Sequence, residues 1–326
     1  PWPWLTVGAC YGVIFLLTWG LAVNPVTKKR RVPLFYILLT LALIGLLVTG
    51  HFLRQDLAPH LEIVFFDVGQ GDAALITVPG DYHILVDGGE AAAYNREIRP
   101  YLQARGIREL DLVVVTHPHE DHLGGIVRLL EDGRISVEQV LESGFPHTTR
   151  LYQRFLQLIL EQEVTLRQGV RGTALRVGDL KGLVLNPPPT YLGGIDGDQN
   201  NNSLVLLLDY QGVRILLSGD AEAPGEAEMI ATYGEGLRAN LLKIGHHGSP
   251  TGTGGLWLAR VEPEIGVISV GAGNSFGHPG QAVLARLAQA GVKVYRTDQV
   301  GRLTFTIRPG RSGKQAQIRV ESEVTR

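Results

Sequence analysis

Cysteine is nearly absent from these 326 residues: Cys10 is the only one, and it lies in an apolar run. A disulfide framework is therefore excluded, and so is a metal site built on cysteine. Charge of one sign is also lacking. The net charge is -2, so the chain as a whole does not advertise a polyanionic partner, and any such surface must be local. Charge is missing altogether from 5–23 and from most of 33–51. The first residue is Pro1, inside this apolar region, which reads as part of a longer protein. The length suits one large domain, or one domain plus something else.

The two uncharged stretches are each close to the roughly 20 residues that cross a bilayer. Between them, 24–31 is a short turn with four consecutive cations, Lys28 to Arg31. A loop this basic is expected on the cytoplasmic side. Residues 1–54 then read as a transmembrane hairpin whose ends face outward, with everything after Arg54 outside the cytoplasm. Trp2, Trp4 and Trp19 suit the interface. A signal peptide would lead to a cleavage site, not a second span. Buried core helices rarely run so long without a polar face.

The densest chemistry lies at 116–125, T-H-P-H-E-D-H-L-G-G, directly after the β-branched run Leu112 to Val115. That run predicts a short buried strand. His117 and His119 alternate, so both imidazoles can enter one pocket, while Asp121 and His122 can face a second position beside it. Imidazole and carboxylate suit zinc, manganese or iron, and two ions roughly 3.5–4 Å apart can clamp both sides of an in-line displacement. Gly124 and Gly125 let the next helix pack close to the strand ends. The motif resembles the metal-binding signature of the metallo-β-lactamase fold. That resemblance implies an α/β, four-layer αββα sandwich with metals at one edge, and leaves the substrate open.

Around this motif, strands are expected near 61–66, 73–78 and 83–86. The second strand follows Asp72 and the third runs into Asp87; both carboxylates are candidates to accept the outward ring N–H of a metal-bound histidine. A helix is expected over 95–105, stopped by Gly106, and others over 123–131 and 150–162. Arg150, Arg154, Arg167 and Arg171 can form a basic edge, although solvated surface is the commoner outcome. The stretch 186–199 reads as a lid or substrate loop. Strands at 204–208 and 213–217 follow, and the second ends at Asp220, the candidate to bridge two metals.

Further on, Leu241 to Ile244 predicts a buried strand that delivers His246 and His247. One of the pair completes the second metal position and the other faces a substrate oxygen; His247 is favoured as the ligand. Pro279 is expected to open a helix reaching Gln289, which puts His278 at a helix N-terminus, where N–H groups attract anions. Two final strands close the sheet, and the polar, basic tail 311–326 is expected to be disordered. Six of the ten histidines fall in these loops, which a purely structural role explains poorly.

Taken jointly, D-V-G-Q-G-D (67–72), L-V-D-G-G (85–89), 116–125, L-L-S-G-D (216–220), L-K-I-G-H-H-G-S (242–249) and N-S-F-G-H-P (274–279) resemble the C-terminal part of the ComEC family, the DNA-uptake channels of bacterial natural transformation. The resemblance implies a metallo-β-lactamase-like domain over 58–310, on the extracytoplasmic side of the cell membrane, degrading the strand that is not imported. DNA, the membrane, the rest of the channel and other uptake proteins are the implied partners. The expected site has two divalent ions, manganese or zinc. His117, His119 and Asp220 hold one; Asp121, His122, Asp220 and His247 hold the other. His246, His278, Lys243 or Asn274 steady the substrate oxygens. Many superfamily members carry another histidine before the bridging aspartate; here His147 occupies that interval, early and near a helix start, and is a further candidate. Rival readings are hydrolysis of a small phosphodiester or cell-surface ester, and a module that guides DNA without cutting it.

Overall fold

Strand formation begins where β-branched and aromatic residues cluster. β1 (Leu61–Phe65), β2 (Ala74–Val78) and β3 (Tyr82–Val86) form an antiparallel meander, with Ile63 opposite Ile76 and Ile76 opposite Ile84. The structure is a computed structural model and describes residues 39–41, 43–45, 59–194, 198–310 and 316–323. The chain divides into two units between Pro59 and His60. The expected hairpin of 1–54 lies outside the described residues apart from helical residues 39–41 and 43–45. Among the described residues no helix is long and apolar enough to cross a membrane.

After β3 a helical stretch, α1 (91–104, with a π turn at Tyr94–Ile98), crosses over to β4 (Glu109–Leu110) and β5 (Leu112–Val115). β5 lies parallel to β3, so a crossover is obligatory. Every β5 residue is buried, because this strand has covered faces on both sides. Val113 and Val115 enter the core beneath the helices, while Leu112 and Val114 enter the core between the sheets. This is the period-two alternation of strand side chains.

Next come α2 (Glu120–Asp132), β6 (Ser136–Val137), β7 (Gln139–Glu142), α3 (Arg150–Glu161) and β8 (Thr165–Gln168). A second sheet starts with β9 (Ala174–Val177), β10 (Leu180–Asn186), β11 (Val205–Tyr210) and β12 (Val213–Leu217). It continues through α4 (Ala223–Tyr233), β13 (Leu241–Lys243), α5 (Gly255–Val261), β14 (Ile265–Ile268), α6 (Gln281–Gln289) and β15 (Lys293–Arg296). β16 (Leu303–Arg308) and β17 (Gln317–Ser322) return to the first sheet. The sheet orders are β17-β16-β1-β2-β3-β5-β7-β8 and β15-β14-β13-β12-β11-β10-β9, with β4 and β6 paired apart.

Three apolar cores separate four layers. One lies between α1–α3 and the first sheet, one between the two sheets, and one between the second sheet and α4–α6. This is the αββα sandwich anticipated from the metal motif.

Two local expectations are corrected. Residues 317–322 of the tail form β17, because Ile318 and Val320 alternate inward onto the intersheet core while the strand pairs with β16. The helix after Pro279 starts at Gln281 with Gly280 as its N-cap, so His278 lies outside its first turn. Two of the four arginines of the possible basic edge are paired on the surface, in line with the commoner outcome expected for them. Arg154 pairs with Glu131 and Glu161, and Arg171 with Glu228.

Candidate metal centre

The parallel strands of both sheets end on the same side, and their C-terminal ends carry the polar residues. Asp87 follows β3, Thr116 to His122 follow β5, Asp220 follows β12, His246 and His247 follow β13, and Ser269 follows β14. Sites at the carboxyl ends of parallel strands are the general rule for open α/β sheets.

Close packing brings α2 up to these ends. Gly125 donates its N–H to the Gly89 carbonyl at 2.7 Å, and Gly88 donates to the His122 carbonyl at 2.8 Å. A Cβ on Gly125 would overlap the Gly88 carbonyl, so the approach needs glycine. The first turn of α2 therefore sets Asp121 and His122 directly against the strand ends.

Asp220 is the hub. Its Oδ2 lies 3.3 Å from His122 Nε2, 3.4 Å from His247 Nε2, 3.8 Å from His117 Nε2 and 3.9 Å from His246 Nε2. Asp121 Oδ2 is 3.2 Å from His247 Nε2. His119 Nδ1 lies 3.0 Å from His117 Nε2. All six residues expected to bind metal thus converge. His147 comes up beside His119, ring centroids 6.4 Å apart, with its Nδ1 2.7 Å from Gln199 Nε2.

Backing contacts fix the rings. His122 Nδ1 donates to Asp87 Oδ2 at 2.8 Å, and Asp87 also accepts from the N–H and hydroxyl of Thr116. His247 Nδ1 donates to the Ser269 carbonyl at 3.1 Å. His246 Nδ1 meets Glu222 Oε1 at 2.7 Å. Each arrangement turns Nε2 toward Asp220. His246 and His247 both have positive φ, 48° and 52°, a conformation costly for side chains larger than glycine and typical of functional sites. Glu222 was not anticipated. It lies two residues beyond Asp220, and only the folded loop shows that it faces His246.

Asp72 is closer to the centre than expected. Ligand atoms of Asp72, His122, Asp220 and His247 lie within 4.8 Å of one another. Its carboxylate approaches His247 Nδ1 at 3.4 Å and forms a tight ion pair with Lys243. Lys243 is buried at the end of β13, on the same strand face as Leu241, which lines the intersheet core. It also donates to the Gly219 carbonyl. Lys243 thus lies beneath the centre, which corrects its expected place on a substrate oxygen.

Asn274 is corrected too. Its side-chain amide donates to the carbonyls of Gly271 and His278 and accepts from the N–H of Phe276 and His278, so it shapes its own loop. The Asn201–Ser203 segment also went unanticipated. Asn186 donates to the Asn201 and Ser203 carbonyls, and Ser203 Oγ accepts the N–H of Asp220.

Charge and orphaned atoms describe what the centre can bind. Burial pushes the His117 imidazole well below its usual pKa, helped by the neighbouring His122 charge, and burial lowers His119. Burial also opposes protonation of His122 and His247, but Asp220 and its fellow carboxylates overcome it and hold both well above the usual range. Burial works against ionisation of Asp121 and Asp220 as well, and the same imidazoles hold both as carboxylates. His122 Nε2, His247 Nε2, Asp220 Oδ1 and Asp72 Oδ1 are buried without a hydrogen-bond partner. Such orphans are rare and call for a ligand. Donors 3.2–3.4 Å apart match the edge of a tetrahedron, about 3.4 Å, around an ion with bonds of about 2.1 Å. The donor set of imidazoles and carboxylates fits a divalent metal.

A family model for the metallo-beta-lactamase superfamily matches residues 66–272. ComE operon protein 3 of Bacillus subtilis is 31% identical over 78% of this chain and 34% of its own length. Competence protein ComA of Neisseria gonorrhoeae is 30% identical over 97% of this chain and 40% of its own length. The chain therefore spans well under half of these curated relatives. Among solved structures, the metallo hydrolase Igni18 of Ignicoccus hospitalis is 16% identical, with a TM-score of 0.48 over 76% of this chain and 98% of that one. The motif-based resemblance to the ComEC family is borne out by these homologues, and the chain belongs to the metallo-beta-lactamase superfamily.

Proposed function

We propose that the chain is a metal-dependent phosphodiesterase that cuts DNA at a DNA-uptake channel, using two divalent ions, manganese or zinc. The observation that carries this reading is that Asp220 Oδ2 lies near residues of both expected donor sets, 3.8 Å from His117 and 3.3–3.4 Å from His122 and His247. In this reading His117, His119 and Asp220 would hold one ion, and Asp121, His122, Asp220 and His247 would hold the other. A divalent ion here would lower the pKa of a coordinated water toward neutrality and offset charge developing on a phosphate.

The protein's own groups supply the rest. Asp87 and the Ser269 carbonyl keep His122 and His247 on the tautomer that aims Nε2 inward. His246, fixed by Glu222, and His278, its ring 5.6 Å away, would meet a substrate oxygen in this reading. Relatives named for competence support DNA as the substrate. The 1–54 hairpin would anchor the domain on the extracytoplasmic face, beside the rest of the channel.

The test uses the full chain loaded with manganese or zinc and given single- and double-stranded DNA, beside Asp121→Ala. Metal-dependent cutting by the parent, lost by at least about a hundredfold in the variant, is expected; removing one charge-stabilising group from a catalytic centre has costs of that order. Cutting retained by Asp121→Ala would overturn the ligand assignment. No cutting by the metal-loaded parent would overturn the nuclease reading and favour a small ester or a guiding role.

A further inference from the structure

Two aromatic side chains are exposed among the described residues, Tyr82 at 39% and Phe276 at 69%. Phe276 has a specific address. It stacks on His278, with ring centroids 5.8 Å apart and planes 27° from parallel. His278 in turn meets His246 edge-on at 5.6 Å, and His246 Nε2 faces Asp220. A continuous run of rings therefore leads from solvent to the metal centre, and Phe276 is its outer end.

Leu160 is more exposed still, at 79%, so what marks Phe276 is its fixed place beside the centre rather than its exposure. The loop is not loose. Asn274 makes four hydrogen bonds inside it, one of them from the Phe276 N–H at 3.1 Å. Its base is fixed as well. The Gly271 N–H donates to Gln70 Oε1, and a Cβ on Gly271 would meet the Gln70 backbone. The ring is thus held in place with one face against His278 and most of its surface in water. An aromatic with one face supported and most of its surface open, beside a centre read as cutting phosphodiesters, has the form of a stacking platform.

We infer that Phe276, supported by His278, stacks the nucleobase next to the scissile phosphate and so selects single-stranded DNA; this rests on the phosphodiesterase reading above. Every base offers a π face, so the platform accepts any sequence. In a duplex that face is already occupied by the neighbouring base pair, so an unpaired base is required. The inference names the substrate form, which the metal ligands leave open.

The test is a cycle on the full metal-loaded chain. Parent, Phe276→Ala and Phe276→Trp are each given a single-stranded oligonucleotide and the same strand with an abasic residue beside the cut site. Stacking on aromatic residues predicts that the parent loses roughly 5- to 150-fold in kcat/KM on the abasic strand. The Phe276→Ala variant should show almost no abasic penalty, and Phe276→Trp should restore it. A 2-aminopurine at the same position reports stacking independently of cutting, through quenched fluorescence in the parent and the Trp variant but not in Phe276→Ala. An abasic penalty equal in parent and Phe276→Ala would overturn the platform while leaving the nuclease intact. Duplex cut as fast as single strand would overturn the selectivity. A metal-loaded parent that neither binds nor cuts DNA would overturn both readings together.

Discussion

Asp87 shows how much one buried carboxylate can organise. It is 1% exposed, accepts from His122 Nδ1, and ties down both donors of Thr116. Asp87→Asn should keep the shape but lose the anionic acceptor, so divalent affinity should fall by roughly 10- to 100-fold. Competition with a chromophoric chelator measures this, and unchanged affinity would remove Asp87 from the tautomer argument. Glu226 is a second such residue, on α4 and outside the centre. Its oxygens accept the N–H groups of Thr253 and Gly254, yet burial still pushes its pKa from 4.5 to about 7. The folded state therefore binds this proton more tightly than the unfolded chain. The contribution is complete below about pH 4.5, is lost as pH rises through 7, and amounts to roughly 3 kcal/mol. The Glu226→Gln variant mimics the protonated form. Parent and variant should match in urea stability near pH 5 and diverge by pH 8, with the parent falling lower. Parallel pH profiles would contradict this.

Among the elements, α2 is held differently at its two ends. At its N-terminal end Gly124 and Gly125 touch the backbone of Glu90–Ala91 and Gly88, so any side chain must push backbone apart. Gly125→Ala should cost about 3 kcal/mol, the upper range for overpacking, and should weaken metal binding because Asp121 and His122 ride on the displaced turn. At its C-terminal end Gly133 has φ 61° and open space around it. Gly133→Ala should cost only about 1 kcal/mol, the strain of a left-handed alanine, with metal binding intact. Urea melts with and without metal separate the two. Equal losses at both ends would show that helix packing does not position the ligands.

Across the whole molecule, the centre joins the two halves of the sandwich. The first sheet supplies Asp87 and residues 117–122, and the second supplies Asp220 and His247. A bound ion therefore cross-links the sheets and should stabilise the fold by about 2.7 kcal/mol at a hundredfold excess over Kd. Stripping metal with a chelator should lower the melting temperature and restoring it should reverse the change. Because the carboxylates hold His122 and His247 protonated before loading, binding should release protons and strengthen as pH rises. Calorimetry in buffers of different ionisation enthalpy detects that release; its absence would mean that the imidazoles were already neutral.

Much of this was legible in the chain. H-x-H-x-D-H after a β-branched run places its candidate ligands by local geometry alone, since strand alternation and one helical turn fix where His117, His119, Asp121 and His122 point. Asp220 and His247 were legible as polar residues at the ends of buried strands. Lys243 was misread because β13 is covered on both faces, so its sequence does not say which face a residue takes; the register with Leu217 and Val267 puts it inward, onto Asp72. Glu222 depended on loop closure between distant segments, which no local pattern encodes. The strand β17 has an alternation too weak to stand alone and exists because β16 offers it an edge. Residues whose neighbours are close in sequence declare their roles there, whereas those defined by the meeting of the two sheets acquire them only on folding.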